Sequence, residues 1–240
     1  MPHVTIFDTA ADAAVRAAED WMADIERGAR VLGLATGSSV IGFYAEWARR
    51  MAGDARLKEL TTFNLDEYYG LGQGHPGTFR RFMETMLFER LGLPSSVVHF
   101  LPADPMSDVD QVCIAYDAAL EASGGLDACL LGIGQNGHLG FNEPCTPFES
   151  RTHLAALTDD TRAANREGFP GPQVPERALT MGLASIAAAS RLTLLAFGRA
   201  KADAVHRALT GPVDPSLPAS LLQRHPNASL YLDREAAARL

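Results

Sequence analysis

Short apolar runs that alternate with amphipathic helical segments constrain the fold of this chain more than any other feature. Three of the runs occupy residues 29–37, 127–134 and 191–198, and each is rich in aliphatic residues and ends in glycine. Such runs are typical of parallel strands that are buried on both faces of a sheet. Segments with helical periodicity, including residues 8–30 and 38–51, separate them. The succession predicts an α/β fold, a single-domain, doubly wound, mostly parallel sheet flanked by helices in a Rossmann-like arrangement.

The length of the chain fits one domain. Its 240 residues can bury a substantial core, and neither an internal repeat nor a linker interrupts the alternation. We therefore predict one domain over residues 1–240. Between about residues 145 and 178 the alternation weakens, and prolines and glycines become frequent. A long excursion beside a binding site is commonly functional, so we predict that residues 145–178 form a lid.

The composition indicates which kinds of partner the protein can bind. The formal net charge is -8 and hydrophobic residues make up 47% of the chain, which argues against nucleic acid but still permits an anionic small molecule. The three cysteines match no zinc or disulfide spacing, the histidines are scattered, and no apolar stretch is long enough to span a bilayer. We expect a cytoplasmic protein that binds neither membrane nor metal. A homo-oligomer is one option for its assembly.

The loop GIGQNGHLGFNEP, residues 132–144, follows the second apolar run directly and carries polar groups. In open α/β sheets, ligands bind beyond the carboxyl ends of the strands. His138 and Glu143 are five residues apart on this loop, which indicates acid–base chemistry on a small molecule. Asn136 and Gly132 belong to the same candidate site. The alternative is a structural histidine with both ring nitrogens satisfied, but the glycines around it favour close approach by a ligand.

Two further turns at the same edge of the sheet carry candidate phosphate ligands. The segment LGLATGSS runs from a strand into a helix and offers backbone amides and hydroxyls at Thr36, Gly37, Ser38 and Ser39. It lacks the GxGxxG and GK[ST] patterns, so a sugar phosphate is favoured over a nucleotide, although an ordinary serine-capped turn is the commoner explanation of such a segment. Lys201 begins a helix after the third apolar run and supplies a cation at that edge.

A second strand, residues 60–67, ends in two carboxylates within FNLDEYYGL. A carboxylate that projects from a strand end into a cleft can serve as a general base. Asp66 and Glu67 both fit this description, and solvated loop acids are an equally good explanation of either one alone.

Taken together, the motifs resemble the family of glucosamine-6-phosphate deaminases, also called isomerases. The resemblance runs in register from about residue 30 to residue 230, and it rests on LGLATGSS, FNLDEYYGL, HPGTFRRFM, GIGQNGHLGFNEP and ALTMGL with LTLLAFGRAKA. The pair of FN-DEY and NGH-GFNEP is the specific part. The related 6-phosphogluconolactonases share the fold but lack the FNEP run.

The resemblance implies conversion of glucosamine 6-phosphate and water to fructose 6-phosphate and ammonia, without metal or organic cofactor. In that scheme His138 assists opening of the sugar ring, and Glu143 orients it and tunes its pKa. Asp66 moves a proton between C2 and C1 through an enolamine-like intermediate. Thr36, Gly37, Ser38, Ser39 and Lys201 hold the phosphate.

The sequence departs from the family pattern at two relevant places. Asn136 stands where many members carry an aspartate, which places more of the base chemistry on Asp66. The family's phosphate-binding arginine falls in a segment that reads NREGF here, where Glu167 is near the expected place and Arg166 or Arg162 can substitute. The alternatives left open are a galactosamine-6-phosphate isomerase, a 6-phosphogluconolactonase, and a non-catalytic sugar-phosphate sensor.

Overall fold

The computed structural model of the protein describes residues 2–106, 108–167 and 169–240. The strands are His3–Phe7 (β1), Val31–Leu34 (β2), Thr61–Asn64 (β3), Asp66–Tyr68 (β4), Val98–His99 (β5), Ala128–Leu131 (β6), His153–Ala156 (β7), Arg177–Thr180 (β8), Leu192–Ala196 (β9) and Ala228–Asp233 (β10). Within the described residues, seven of them form one sheet in the order β1-β10-β9-β6-β2-β3-β5, and every pairing in it is parallel. The predicted α/β fold is therefore confirmed.

Helices lie between most consecutive strands of the chain. They are Ala10–Glu26 (α1), Ile41–Met51 (α2), Phe79–Met83 (α3), Glu89–Leu91 (α4), Val109–Ala122 (α5), Asp159–Ala164 (α6), Leu183–Ala187 (α7) and Ala202–Thr210 (α8), with a π-helical turn at Glu84–Phe88 between α3 and α4. Short 3-10 turns occupy Ser38–Val40, Ala55–Glu59, Ser95–Val97, Arg199–Lys201 and Pro218–Arg224. In the described ranges, no helix combines the length and the apolar character that crossing a membrane requires.

An aromatic cluster packs α1 and α2 together and fixes them to the sheet. The rings of Trp21 and Phe43 meet edge to face with centroids 5.2 Å apart, and Trp47 lies 5.8 Å from Trp21. All three are fully buried, so the amphipathic faces predicted from the sequence are their packing faces. The indole Nε1 of Trp21 donates a 3.0 Å hydrogen bond to Thr193 Oγ1 on β9, which satisfies the only polar atom of that ring.

The strand order reverses between β2 and β6, and this reversal positions the site. From β2 the chain builds outward through β3 and β5, whereas β6 leads to β9 and β10 on the other side. The loops that leave the carboxyl ends of β2 and β6 therefore diverge and leave a crevice between them. These loops are residues 35–40 and 132–140.

A second, smaller sheet consists of antiparallel strands in the order β4-β8-β7. The predicted strand over residues 60–67 is wrong in extent, because it divides at Leu65 into β3 in the large sheet and β4 in the small one. Leu65 belongs to both sheets through its backbone, since its amide donates to Leu34 O at 3.1 Å and its carbonyl accepts from Met181 N at 2.6 Å. Asp66 then pairs with Thr180 of β8.

The segment 145–178 is more regular than its composition indicates. It contains β7, α6 and the first residues of β8, and β7 and β8 pair through four residues each. β7 and β8 are four residues long and lie in a polar segment, so neither gives the continuous apolar run from which strands are predicted. The amino-terminal strand β1 was missed as well, because it lies at the sheet edge and is only partly buried. Movement of this segment as a lid stays a prediction.

Candidate active site

The crevice at the switch point is a cavity of about 780 Å³, a size typical of pockets that bind small molecules. Several separate loops contribute to it, and most of the residues singled out in the sequence line it: Thr36, Gly37, Ser38, Ser39, Asp66, Gly132, Asn136, His138 and Lys201. Glu143 and Arg166 are absent from the lining formed by the described part of the chain. Acid–base groups and candidate phosphate ligands thus share one cavity.

Asp66, at the start of β4, is the buried acid of the cavity. Its side chain is 6% exposed, and its Oδ1 atom has no hydrogen-bond partner among the described residues. Burial raises the pKa of Asp66 to about 8, the charge of Glu67 adds to the shift, and the hydroxyl of Thr36 opposes it. A carboxyl group with a pKa near neutrality can both take and return a proton, as a base that shuttles a proton must.

Glu67, the next residue, points away from the cavity and is structural. Its carboxylate accepts hydrogen bonds from the backbone N–H groups of Tyr68, Phe79 and Arg80 at 2.8, 2.9 and 2.9 Å. Burial raises the pKa of Glu67 to about 7, and these donors oppose that shift. The strand pleat thus separates the two candidate bases, with Asp66 in the cavity and Glu67 at the first turn of α3.

Gly140 allows the loop after β6 to approach Asp66. Its φ of +58° lies in the left-handed region, and a Cβ atom there would lie 3.0 Å from Thr180 Oγ1 and 3.4 Å from Asp66 Oδ2. Asn142 keeps the same loop in place by donating to the carbonyls of Leu139 and Met181, both at 2.8 Å. Asn142 is therefore a structural residue of the polar loop.

Asn136 connects His138 to Glu143. The amide Nδ2 of Asn136 lies 2.7 Å from Glu143 Oε2, and a carboxylate only accepts, so Nδ2 is the group that faces it. Asn136 Oδ1 consequently faces the imidazole, 2.8 Å from His138 Nδ1 and 3.2 Å from the His138 backbone N. The ring nitrogen itself is 3.8 Å from Glu143 Oε2, beyond hydrogen-bond distance. The expected direct contact between Glu143 and His138 is thus replaced by a relay through Asn136.

This relay fixes the tautomer of His138. Because Asn136 Oδ1 is an acceptor, Nδ1 of His138 carries the proton and Nε2 has the lone pair. Burial lowers the pKa of His138, and the charge of Lys201 lowers it further, while Glu143 acts in the opposite direction. The imidazole is therefore neutral near pH 7 and can accept a proton at Nε2.

Gly134 is a further residue of the site, in addition to those predicted from the sequence. A Cβ atom at this position would lie 2.3 Å from the Cε1 and Nδ1 atoms of the His138 ring, so only glycine permits the imidazole to pack against this backbone. The signal was present as the second glycine of GIG, but spacing alone does not tell which of several glycines meets a side chain.

The amino-terminal end of α6 forms the far wall of the cavity and contacts the relay. Thr158 caps α6, and its backbone N and hydroxyl both donate to Glu143, at 3.2 and 3.3 Å. Thr161, which lines the cavity, places its hydroxyl 3.3 Å from His138 Nδ1. These threonines were missed because a capping threonine in a polar segment is common at any helix start.

The candidate phosphate end lies between residues 36–39 and Lys201. Gly37, with a φ of +114°, turns the chain from β2 into the 3-10 turn Ser38–Val40. Lys201 ends another 3-10 turn after β9 and lines the same cavity, where burial lowers its pKa. Hydroxyls, turn amides and one ammonium thus face a common space. In the described residues, no three His, Cys, Asp or Glu side chains are grouped so as to hold a metal ion.

Arg166 is engaged elsewhere. Its Nη1 atom donates to the carbonyl oxygens of Phe169 and Gly171, at 3.4 and 2.8 Å, within the segment 145–178. Its side chain therefore supports the conformation of that loop. Arg207 on α8, which is not among the residues predicted from the sequence, lines the cavity instead.

Comparison with known proteins agrees with this geometry. The family described as glucosamine-6-phosphate isomerases/6-phosphogluconolactonase matches residues 5–231, and the chain belongs to this family. Within it, the chain is 46% identical over 214 residues to a glucosamine-6-phosphate deaminase of Streptococcus thermophilus, with 89% of each chain covered. It is 41% identical to the glucosamine-6-phosphate deaminase of Halalkalibacterium halodurans, covering 94% of this chain and 92% of that one.

Solved structures also superimpose on this chain. A structure described as a monomeric glucosamine-6-phosphate deaminase superimposes with a TM-score of 0.94 at 36% identity, covering 99% of this chain and 100% of that one. The 6-phosphogluconolactonase of Trypanosoma brucei superimposes with a TM-score of 0.79 at 20% identity, covering 100% and 99%. The second likeness shows a shared fold alone.

Proposed function

We propose that the protein is a glucosamine-6-phosphate deaminase, an enzyme that converts glucosamine 6-phosphate and water to fructose 6-phosphate and ammonia. The observation that carries the proposal is the meeting of Asp66 and His138 in one cavity with the candidate phosphate ligands. Identities of 41% and 46% to named deaminases over most of the chain support the same activity.

Ring opening is the step assigned to His138. Its Nε2 lone pair accepts the proton of the C1 hydroxyl, the C1–O5 bond breaks, and O5 takes up a proton to give the open aldehyde. A neutral imidazole is required for this step, and burial together with Lys201 favours that form. Glu143 is a positioning residue, because it lies outside the cavity lining and acts on the imidazole through Asn136. Asn136 orients the same ring from within the cavity.

Isomerisation is the step assigned to Asp66. As a carboxylate it takes the proton from C2, which gives the enolamine, and it returns that proton to C1. The C2–N bond then has imine character, water adds at C2, and ammonia leaves with the amino nitrogen. The partial enclosure of Asp66 limits exchange of its proton with solvent, which suits transfer between neighbouring carbons.

The direct test is ammonia release, followed with glucosamine 6-phosphate, galactosamine 6-phosphate and 6-phosphogluconolactone as separate substrates. We expect release from the first, with fructose 6-phosphate as the second product. Asp66→Asn should lower kcat by about 10²- to 10⁴-fold with a much smaller change in KM. Folded wild-type protein that releases no ammonia from either amino sugar would contradict the proposal, and turnover of the lactone alone would assign the other branch of the family.

The segment 145–178 supports a lid role in the same scheme. It supplies α6 as a wall of the cavity, including Thr161, and its closure over a bound sugar would exclude water. A cytoplasmic location belongs to the same proposal. A homo-oligomer stays one option for the assembly, and light scattering of the purified protein measures the oligomeric state.

A further inference from the structure

The phosphate end of the cavity needs a second cation. A hexose 6-phosphate carries close to two negative charges at neutral pH, whereas Lys201 supplies one positive charge. Lys201 is also partly buried, and burial lowers its pKa, so its ammonium form benefits from an anionic partner. Backbone amides and the hydroxyls of residues 36–39 provide hydrogen bonds there but no net charge.

Arg207 is the cation that meets this need. Among the cavity-lining residues within 2–106, 108–167 and 169–240, the lysines and arginines are Lys201 and Arg207. Lys201 ends the 3-10 turn that precedes α8, and Arg207 lies on α8 six positions later. The arginines suggested by the sequence lie outside this lining: Arg166 binds loop carbonyls, and Arg162 pairs with the exposed carboxylate of Asp159 at 3.2 Å.

The contacts of Arg207 in the structure leave its guanidinium available to bind a ligand. Its Nη1 atom lies 3.8 Å from Asp203 Oδ2, one turn earlier on α8, and both side chains are about half exposed. Ion pairs of this kind contribute little to stability, because solvent screens them. Asp203 also pairs with Arg239, so its charge stays compensated when Arg207 turns toward a ligand. The guanidinium can thus leave Asp203 while the carboxylate of Asp203 stays paired with Arg239.

We infer that Arg207 binds the phosphate group of the substrate together with Lys201. The inference rests on the proposed function for its substrate class. The planar guanidinium presents two parallel N–H donors to two phosphate oxygens, while Lys201 acts as a point charge. Arg207 thereby takes the part that the sequence suggested for Arg166 or Arg162.

Calorimetric titration with fructose 6-phosphate tests this inference in the full-length protein. Arg207→Ala should weaken binding by about 10-fold or more. The affinity of Arg207→Lys should lie between those of the wild type and Arg207→Ala, because lysine keeps the charge but lacks the two parallel N–H donors. Arg199→Ala removes an exposed positive charge just before the start of α8, outside the cavity lining. This control should change the affinity by less than about 2-fold. Inorganic phosphate should compete with the sugar phosphate less well in Arg207→Ala than in the wild type.

Retention of wild-type affinity by Arg207→Ala would overturn the inference, as would a loss confined to Arg166→Ala. Far-ultraviolet circular dichroism checks that each variant is folded. If the wild type binds fructose 6-phosphate but releases no ammonia from amino sugars, the proposed deaminase activity fails, and the Arg207 variants still decide how the phosphate is recognised. If the wild type binds no hexose phosphate at all, both proposals fall.

Discussion

The Oδ1 atom of Asn136 lies 2.8 Å from Nδ1 of His138, and this contact determines which ring nitrogen is free. An amide oxygen accepts a hydrogen bond without adding charge, so it fixes the tautomer and leaves the imidazole neutral. An aspartate at position 136 would fix the same tautomer but would also favour the imidazolium form. Asn136 therefore fixes the orientation of the His138 ring without favouring its charged form.

The first prediction concerns the effect of residue 136 on the pKa of His138. Asn136→Asp should raise the pKa of His138 by about 1 unit or more, because a carboxylate replaces the amide next to Nδ1. Nuclear magnetic resonance titration of the His138 ring measures the change directly. The substitution also loses the Nδ2 donor to Glu143, so activity should fall near neutral pH, where more of the imidazole is protonated. An unchanged His138 titration would show that the contact does not control the ring.

The pH dependence of catalysis follows from Asp66. Burial raises its pKa to about 8, so in the free enzyme the carboxyl is mostly protonated at pH 6 and mostly ionised at pH 9. A base must be ionised, so kcat/KM should rise with pH, by up to tenfold per unit below about pH 8, and then level off. His138 does not produce this limb, because its pKa is shifted below its ordinary value.

A variant distinguishes this assignment from a general pH effect. The hydroxyl of Thr36 lowers the pKa of Asp66, so Thr36→Val should move the rising limb to higher pH. Wild-type kcat/KM that is already level at pH 6 would contradict the assignment of the limb to Asp66.

The close packing of Gly134 against His138 leads to a third prediction. Gly134→Ala should displace the imidazole, because a Cβ atom would lie 2.3 Å from ring atoms, and kcat should fall by about 10²-fold. Gly74→Ala is the matched control, since a Cβ atom there meets nothing within 4 Å. Equal kinetics for the two alanine variants would show that the ring tolerates displacement.

The contact between α6 and Glu143 can be separated from ordinary helix capping. Thr158→Ala and Thr9→Ala each remove a capping hydroxyl, from α6 and from α1, and each should cost about 1 kcal/mol of unfolding free energy. Only Thr158 also donates its hydroxyl to Glu143, so only Thr158→Ala should lower kcat. Denaturant unfolding and steady-state kinetics on both variants provide the comparison, and parallel losses of kcat would count against a positioning role for α6.

The sequence predicted the elements whose burial is uniform. Strands β2, β6 and β9 are covered on both faces, so their apolar runs were unambiguous, and the loops after them were identified with the strands. Asp66 and His138 were found because polar side chains at strand ends are informative in a parallel sheet. Strands β7 and β8 were not found, because short antiparallel strands in a polar segment give no continuous apolar signal.

The remainder of the site depends on distances that sequence spacing does not contain. Glu143 lies five residues from His138, and this spacing suggested a direct contact, but the side chain of Asn136 occupies the space between them. Arg207 lies on a helix with an ordinary amphipathic pattern, where an arginine is expected on the exposed face. Only the placement of α8 beside the cavity distinguishes it from other surface arginines.

The pairing of β4 with β8 has a consequence for the identity of the base. Asp66 and Glu67 are consecutive, and the pleat turns one carboxylate into the cavity and the other toward α3. A slip of this short strand by a single residue would exchange them and present a longer acid to the sugar. The backbone bond between Leu65 and Met181 and the three donors to Glu67 oppose such a slip. The choice between two neighbouring acids is thus made by main-chain hydrogen bonds that never touch the substrate.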